Sequence, residues 1–265
     1  MSTCHLLLEV DSAKAAARAK RADNLKTLLT KLEFPIKTYG PAGSDVVLTD
    51  SAKASNLETQ VGSASGNRDV FSSKILGEIE KNVKAGDLII LTEGWQANGF
   101  HGLPDAYGGK IKGAPLVSMW IDGAGWGSKY SVFTSRFCMA HAAWVDPQWH
   151  PNWIYAPPYI PVGTEVDWFD TPIYDEKSDP FGLVHLEKMA LGVPTVAPDW
   201  GVWAETVVPG VNGYLYRTKE GREKWSREAI KIKPERIKNF IKERYSLEQA
   251  VAHCGKFLRG LAKEG

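Results

Sequence analysis

Cysteine is scarce: Cys4, Cys138 and Cys254 are the only three in 265 residues. An odd, scattered set builds no disulfide frame and points to free thiols in a reducing compartment. Long apolar runs are absent too. Nothing approaches the ~20 residues that a membrane-spanning helix needs. The short run Leu6–Leu8 is followed at once by Glu9 and Asp11, so it does not read as a signal peptide. Excess charge is also missing. The net value of +1 gives no global pull towards nucleic acid or membrane. These absences predict a cytoplasmic protein. What is present is ordinary for a folded chain: 43% hydrophobic and 24% charged residues. The length allows one large domain or two small ones. Tryptophan is abundant, with ten residues, most of them between Trp120 and Trp203. Core packing accounts for most of these, and a few are candidates to line a pocket for a flat or sugar-like ligand.

The first half alternates strand and helix signals. His5–Val10 reads as a buried strand, and Ser12 caps a helix running to about Leu32. Ile36–Tyr39 and Val46–Thr49 are short strands, residues 50–68 a polar loop, and Val70–Val83 a helix by the spacing of Val70, Ile75, Ile79 and Val83. Asp87–Leu91, Pro115–Ile121 and Tyr130–Thr134 read as further strands, and Arg136–Val145 as a helix. Continuous apolar strands linked by helices predict a parallel sheet covered on both faces. Residues 146–165, rich in Pro and Trp, mark a junction. Beyond it the alternation is smaller: a helix from near Phe181 ending at Gly192, strands Thr195–Ala197 and Tyr214–Tyr216, a turn at Pro209–Gly213, and helices Pro234–Arg244 and Leu247–Leu261. Ser246 and Gln249 form a capping box for the last. The expected architecture is α/β, with two Rossmann-like domains facing a cleft and the second reduced: 1–160, 161–245, and a final helix 246–265 packing back across the junction.

One segment carries chemistry. In Asp179-Pro-Phe-Gly-Leu-Val-His-Leu-Glu187, Asp179 is a good N-cap, Pro180 suits the first helical position, and Gly182 leaves the first turn open. Free amides at such a helix start favour a phosphate. Glu187 falls within the stripe of Leu183, Leu186, Ala190 and Leu191. A carboxylate buried there needs a hydrogen-bonded partner, and a pair of ribose hydroxyls would serve.

The phrase DPFGLVHLEKMALGVPTV, followed by Glu205 and GVNGYLY, resembles the donor-binding cassette of the retaining, GT4-like glycosyltransferases of the GT-B fold, whose phrase reads EPFGLVxLEAMAxGxPVV. Two flanks support it: IPVGTEVDWF at 160–169, similar to the interdomain PNGVDxxxF, and RYSLEQA at 244–250, similar to the closing RFSWEExA. The resemblance implies that Glu187 holds the ribose hydroxyls and that Asp179 contacts the transferred sugar. It implies that Phe181, Gly182 and Leu183 offer amides to the diphosphate or sugar, and that Glu205 matches the glutamate of the following loop. It further implies a nucleotide-diphosphate sugar as co-substrate, retention, no metal and no other cofactor.

The family's GRxxxxKG segment, which supplies an arginine and a lysine to the diphosphate, has no counterpart between Phe169 and Asp179. Lys177 and Arg136 are the candidate replacements. Asp122 and Glu93, at strand ends of the first domain, are candidates to orient or deprotonate an acceptor hydroxyl, with His101 a weaker one. Trp200 and Trp203 are placed to stack on base or sugar. The acceptor class stays open: a small molecule, a glycan, or a hydroxymethylated base in viral DNA. The DNA reading draws on Lys14, Arg18, Lys20, Arg21, Lys26 and Lys31 in helix 12–32 and on the basic stretch 219–244. The same helix loosely fits a peripheral membrane contact. A non-catalytic nucleotide-sugar or glycan-binding module is the alternative to an enzyme.

Overall fold

The structure is a computed structural model that describes residues 2–8, 16–40, 44–47, 77–91, 109–121, 129–145, 152–158, 160 and 183–263. The first domain holds β1 (Cys4–Leu7), α1 (Ala16–Lys31), β2 (Ile36–Gly40), β3 (Val46–Val47), a helical segment at 77–82, β4 (Leu88–Leu91), β5 (Lys110–Ile111), β6 (Ala114–Ile121), β7 (Tyr130–Phe133), α2 (Arg136–Val145) and β8 (Trp153–Tyr155). The strands lie in the order β3-β2-β1-β4-β6-β7-β8, every neighbouring pair parallel, with the short β5 antiparallel on β6. The run LIIL of β4 is buried at all four positions because each face of the sheet meets helices. Leu6, Leu88, Ile90 and Val117 point into one core with Leu25, Leu28 and Leu29 of α1. Leu7, Ile89, Leu91 and Leu116 point the other way, onto Ile79 and Val83. The strand order reverses between β1 and β4, which is where such sheets open a crevice at their carboxyl ends.

The second domain is smaller. It comprises α3 (Leu183–Ala190), β9 (Thr195–Pro198), α4 (Trp203–Thr206), β10 (Gly213–Tyr216), α5 (Lys219–Ala229) and α6 (Pro234–Arg244). Its described sheet is the parallel pair β9 and β10. Gly192, at φ +89°, ends α3 as expected: Val193 N–H donates to Lys188 O and Gly192 N–H to Met189 O, the paired bonds of a left-handed C-cap. The last helix, α7 (Leu247–Lys263), begins where Ser246 Oγ accepts from Gln249 N–H. It packs on the first domain, where Ala250, Cys254, Leu258 and Leu261 join the α1 core.

Three elements depart from the sequence reading. Trp153–Tyr155, inside the expected junction, is a strand paired in parallel with β7. Lys219–Ala229 is a helix; its signal was Thr218, whose Oγ1 accepts from Gly221 N–H. Glu205 sits in a one-turn helix and not in a loop. The polar loop 50–68, the helix start at Ser12 and the first turn of the Phe181 helix fall outside the described residues.

Cys4, Cys138 and Cys254 are buried and form no disulfide, and burial pushes the Cys254 thiol up to about 12. They pack as small apolar groups.

A polar network crosses the first sheet. The His5 Nε2–H donates to Asp87 Oδ2 at 3.2 Å, and the Tyr39 hydroxyl donates to Nδ1 at 2.7 Å, the pattern of a neutral imidazole. Burial depresses the His5 pKa, more than the bond to Asp87 raises it. Burial alone would raise the Asp87 carboxyl, but the amides of Thr3 and Lys84 and the His5 ring hold it below the usual carboxylate range. Both groups bind protons less readily folded than unfolded, so both withdraw stability on acidification. The His5 share is fully present above about pH 6.5 and declines below it. The Asp87 share follows at lower pH. Urea midpoints are expected to fall between pH 7.5 and 5, and His5→Leu is expected to flatten that slope.

Candidate functional site

The carboxyl ends of the two sheets face each other. From the first come Ser135 and Arg136 after β7, and Tyr155 at the end of β8. From the second comes the segment from Asp199 through α4 after β9. Glu205 joins them. Its Oε2 accepts from Arg136 N–H at 2.9 Å and its Oε1 from Phe137 N–H at 2.6 Å. A carboxylate from the second domain thus fills the positive start of α2, a helix of the first. Behind this contact a single apolar core spans the junction: Phe133, Cys138, Ala142 and Trp153 pack with Leu186, Met189, Trp203, Ile237 and Tyr245. The chain crosses between the domains twice, and the crossings are tied by Ile160 N–H donating to Tyr245 O at 2.8 Å.

These elements line an open cleft of about 470 Å³, the size of a small-ligand site. Arg136, Tyr155, Glu205, Arg244, Gln249 and His253 line it. The Arg136 guanidinium lies 5.3 Å from the centre of the Tyr155 ring, and that of Arg244 lies 4.8 Å from the centre of Phe240. Burial raises the Tyr155 pKa; the Glu205 charge adds to this and the two arginines oppose it. The Tyr155 hydroxyl is therefore a neutral hydrogen-bonding group among two cations and a carboxylate.

Glu205 is held in register from below. The His185 Nε2–H donates to Thr206 Oγ1 at 2.9 Å, and the Thr206 hydroxyl donates to Val202 O at 3.1 Å. The His185 ring meets Trp203 edge-on, with centroids 4.7 Å apart. Asn212, fully buried, accepts from Val208 N–H through Oδ1 at 2.7 Å and donates through Nδ2 to Thr206 O at 2.8 Å. Gly213 follows with no room for a side chain: a Cβ there would lie 1.9 Å from Thr195 O. The Asn-Gly pair of GVNGYLY therefore fixes the turn that carries Glu205 and lets β10 approach β9.

Of the residues singled out from sequence, the structure brings Glu205 and Arg136 together. Trp200 is close by, 54% exposed and edge-on to Phe137 at 6.4 Å. Trp203 is buried beneath them, packed in the junction core. Leu183 opens α3. Glu187 lies on α3, and the stripe expected around it is corrected. The fully buried face consists of His185, Leu186, Lys188 and Met189; Glu187 is half-buried at its margin, and Leu191 is exposed. Packing against α6 sets this rotation, which helical spacing leaves open. Glu93, Asp122, Lys177, Asp179, Phe181, Gly182 and His101 lie outside the described residues. The strand leading to Asp122 is bulged beyond Ser118, with Trp120 at φ +54°, strain of a kind often stored beside functional sites. Sequence reasoning missed Tyr155, Arg244 and the buried Lys188. Lys188 had a signal, since the family phrase carries alanine at that place.

Comparison with solved structures defines the class. The chain resembles a glycosyltransferase from Rickettsia africae over 100% of its own length and 99% of the other, with a TM-score of 0.61 at 10% identity. AviGT4, a glycosyltransferase involved in avilamycin A biosynthesis, gives 0.59 at 11% identity, with 99% of each chain covered. The lipopolysaccharide outer core galactosyltransferase WaaB gives 0.60 at 12%, covering 94% of this chain and 98% of that one. At such identities the likeness establishes the fold, which is the α/β, Rossmann-like arrangement of the GT-B glycosyltransferases. Residues 169–246 match the family glycosyl transferases group 1. This segment, under a third of the chain, is thus similar to that family and belongs to a chain with a GT-B framework. Among curated proteins no sequence matches.

Glu205→Ala is expected to cost about 0.5–2 kcal/mol in urea unfolding, the range for losing a helix cap. Glu205→Gln, which offers one acceptor to two amides, is expected to lose part of that.

Proposed function

We propose that the chain transfers a sugar from a nucleotide-diphosphate donor to an acceptor hydroxyl, with retention of configuration and without a metal ion. The observation that carries this is the cavity at the carboxyl ends of both sheets, walled by Glu205 from the matched segment and by Arg136 and Arg244. Both arginines border one open cleft, and a diphosphate there needs cations that the absent GRxxxxKG segment would otherwise supply. In this reading Arg136 and Arg244 take over that charge, with Lys177, two residues before Asp179, as a further candidate. Glu187 holds the ribose, Asp179 the transferred sugar, and the amides of Phe181, Gly182 and Leu183 the phosphate oxygens. Glu205 orders the wall, and Asp122 or Glu93 orients the acceptor.

The step balances without a protein nucleophile. The acceptor oxygen bonds to the anomeric carbon as the bond from that carbon to the phosphate oxygen breaks. The nucleoside diphosphate leaves with the electron pair, and the acceptor proton passes to the leaving phosphate oxygen. The protein's share is positioning and charge stabilisation.

One neighbour, HepE from Anabaena, was solved in complex with UDP-glucose, so UDP-glucose is the first donor to try. The missing GRxxxxKG segment favours one alternative, a module that binds a nucleotide sugar without turning it over. Thermal shift and turnover over a donor panel separate the two: stabilisation without transfer or hydrolysis would support the module. Glu187→Ala is expected to abolish nucleotide stabilisation, and Arg244→Gln to raise the donor KM about tenfold or more, as loss of a charge-assisted bond does. Unchanged nucleotide binding by Glu187→Ala would sink the assignment.

A further inference from the structure

The wall of the cleft changes character along the chain. At the end of α6 it is ionic, with Glu243 and Arg244. Past Ser246 it continues on α7 with Gln249 and His253, an amide and an imidazole. These two stand at positions i and i+4 on one face of the helix, about 6 Å apart along its axis. The corner between the two helices is fixed. Tyr245 is buried, its N–H donates to Ile241 O, and its carbonyl accepts from Ile160 N–H. Ser246 Oγ then accepts from Gln249 N–H. Arg244 and the pair on α7 are thus held in one frame.

The two nitrogens of His253 have separate tasks. Nδ1 lies 2.7 Å from Gln249 O, the carbonyl one turn back. A carbonyl oxygen only accepts, so Nδ1 carries the proton and donates. In the neutral ring Nε2 is then a lone-pair acceptor, on a ring braced from behind by its own helix. Such an atom suits a ligand that brings an O–H or N–H. The ionised oxygens of a diphosphate bring none, and they belong with Arg244. A sugar hydroxyl both donates and accepts, so it can meet the imidazole and the amide together. A nucleotide-diphosphate sugar presents these groups in the same order as the wall does, phosphate first and then hydroxyls. We infer that His253 Nε2 and the Gln249 side-chain amide contact hydroxyls of the sugar carried on the donor, and so let the cleft read the sugar apart from the nucleotide. This rests on the sugar-transfer reading and adds to it a contact from the helix that completes the first domain.

Two substitutions divide the ring between its tasks. In His253→Asn the side-chain N–H still reaches Gln249 O, and nothing stands at the place of Nε2. In His253→Gln the longer side chain puts an amide near that place and gives up the bond to Gln249. Calorimetry on the whole chain compares UDP with UDP-glucose, and the ADP, GDP and dTDP pairs in the same way, with the tightest-binding pair deciding. His253→Asn is expected to weaken the sugar nucleotide about fivefold and to leave the free nucleoside diphosphate within about twofold. His253→Gln is expected to keep both within about twofold of the unaltered chain. Gln249→Ala, which retains the carbonyl that braces the ring, is expected to weaken the sugar nucleotide alone. The reverse order, with Asn harmful to neither ligand and Gln harmful to both, assigns the ring to bracing α7 and overturns the inference. Equal weakening of the sugar nucleotide and the free diphosphate overturns it too, as does indifference to all three substitutions. An unaltered chain that binds no nucleoside diphosphate of the panel strikes the donor reading itself, and the sugar contact with it.

Discussion

Two hydrogen bonds from the first turn of α2 to the carboxylate of Glu205 set the geometry on which the rest of the site depends. A helix start carries unsatisfied amides and a positive end, and leaving them without a partner in a packed junction is costly. The chain meets that need with an anion from the opposite domain. The same contact fixes how far α4 stands from the first sheet, and therefore the width of the cavity between them. The apolar core beneath, shared by Phe133, Trp153, Leu186 and Trp203, keeps this distance from varying freely. Affinity for ligand can then be spent on the ligand and not on assembling the walls.

The sequence motif GVNGYLY acquires a physical meaning from this arrangement. Asn212 satisfies one backbone donor and one backbone acceptor in the turn below Glu205, and Gly213 permits the close approach of β10 to β9. Neither residue lines the cavity. Their role is to hold the group that does, an indirect contribution that a motif match alone does not distinguish from direct contact with a ligand.

Much of the framework was legible because it follows from local rules. The parallel sheet could be read from apolar runs such as LIIL, the end of α3 from Gly192, and the start of α7 from Ser246. What was not legible depends on neighbours distant in sequence. Trp153–Tyr155 looked like a proline- and tryptophan-rich linker because its strand character comes from pairing with β7. Glu187 was placed in the apolar stripe by spacing, but the packing of α3 on α6 turns that stripe towards His185 and Met189. Arg244 read as part of a closing helix. Its place on the cavity follows only once α6 and α7 bring the chain back past β8.

That return has a consequence for how the molecule comes into being. The first domain is not a contiguous stretch of chain: its core is finished by Ala250, Cys254, Leu258 and Leu261. During synthesis these emerge after the entire second domain, so α1 and one face of the first sheet must wait with apolar surface uncovered. The first domain is the last to be completed, although it is the first to be made. Folding here closes like a clasp around the intervening domain, with long-range contacts formed late and the partly made chain exposed to chaperones or aggregation until α7 arrives.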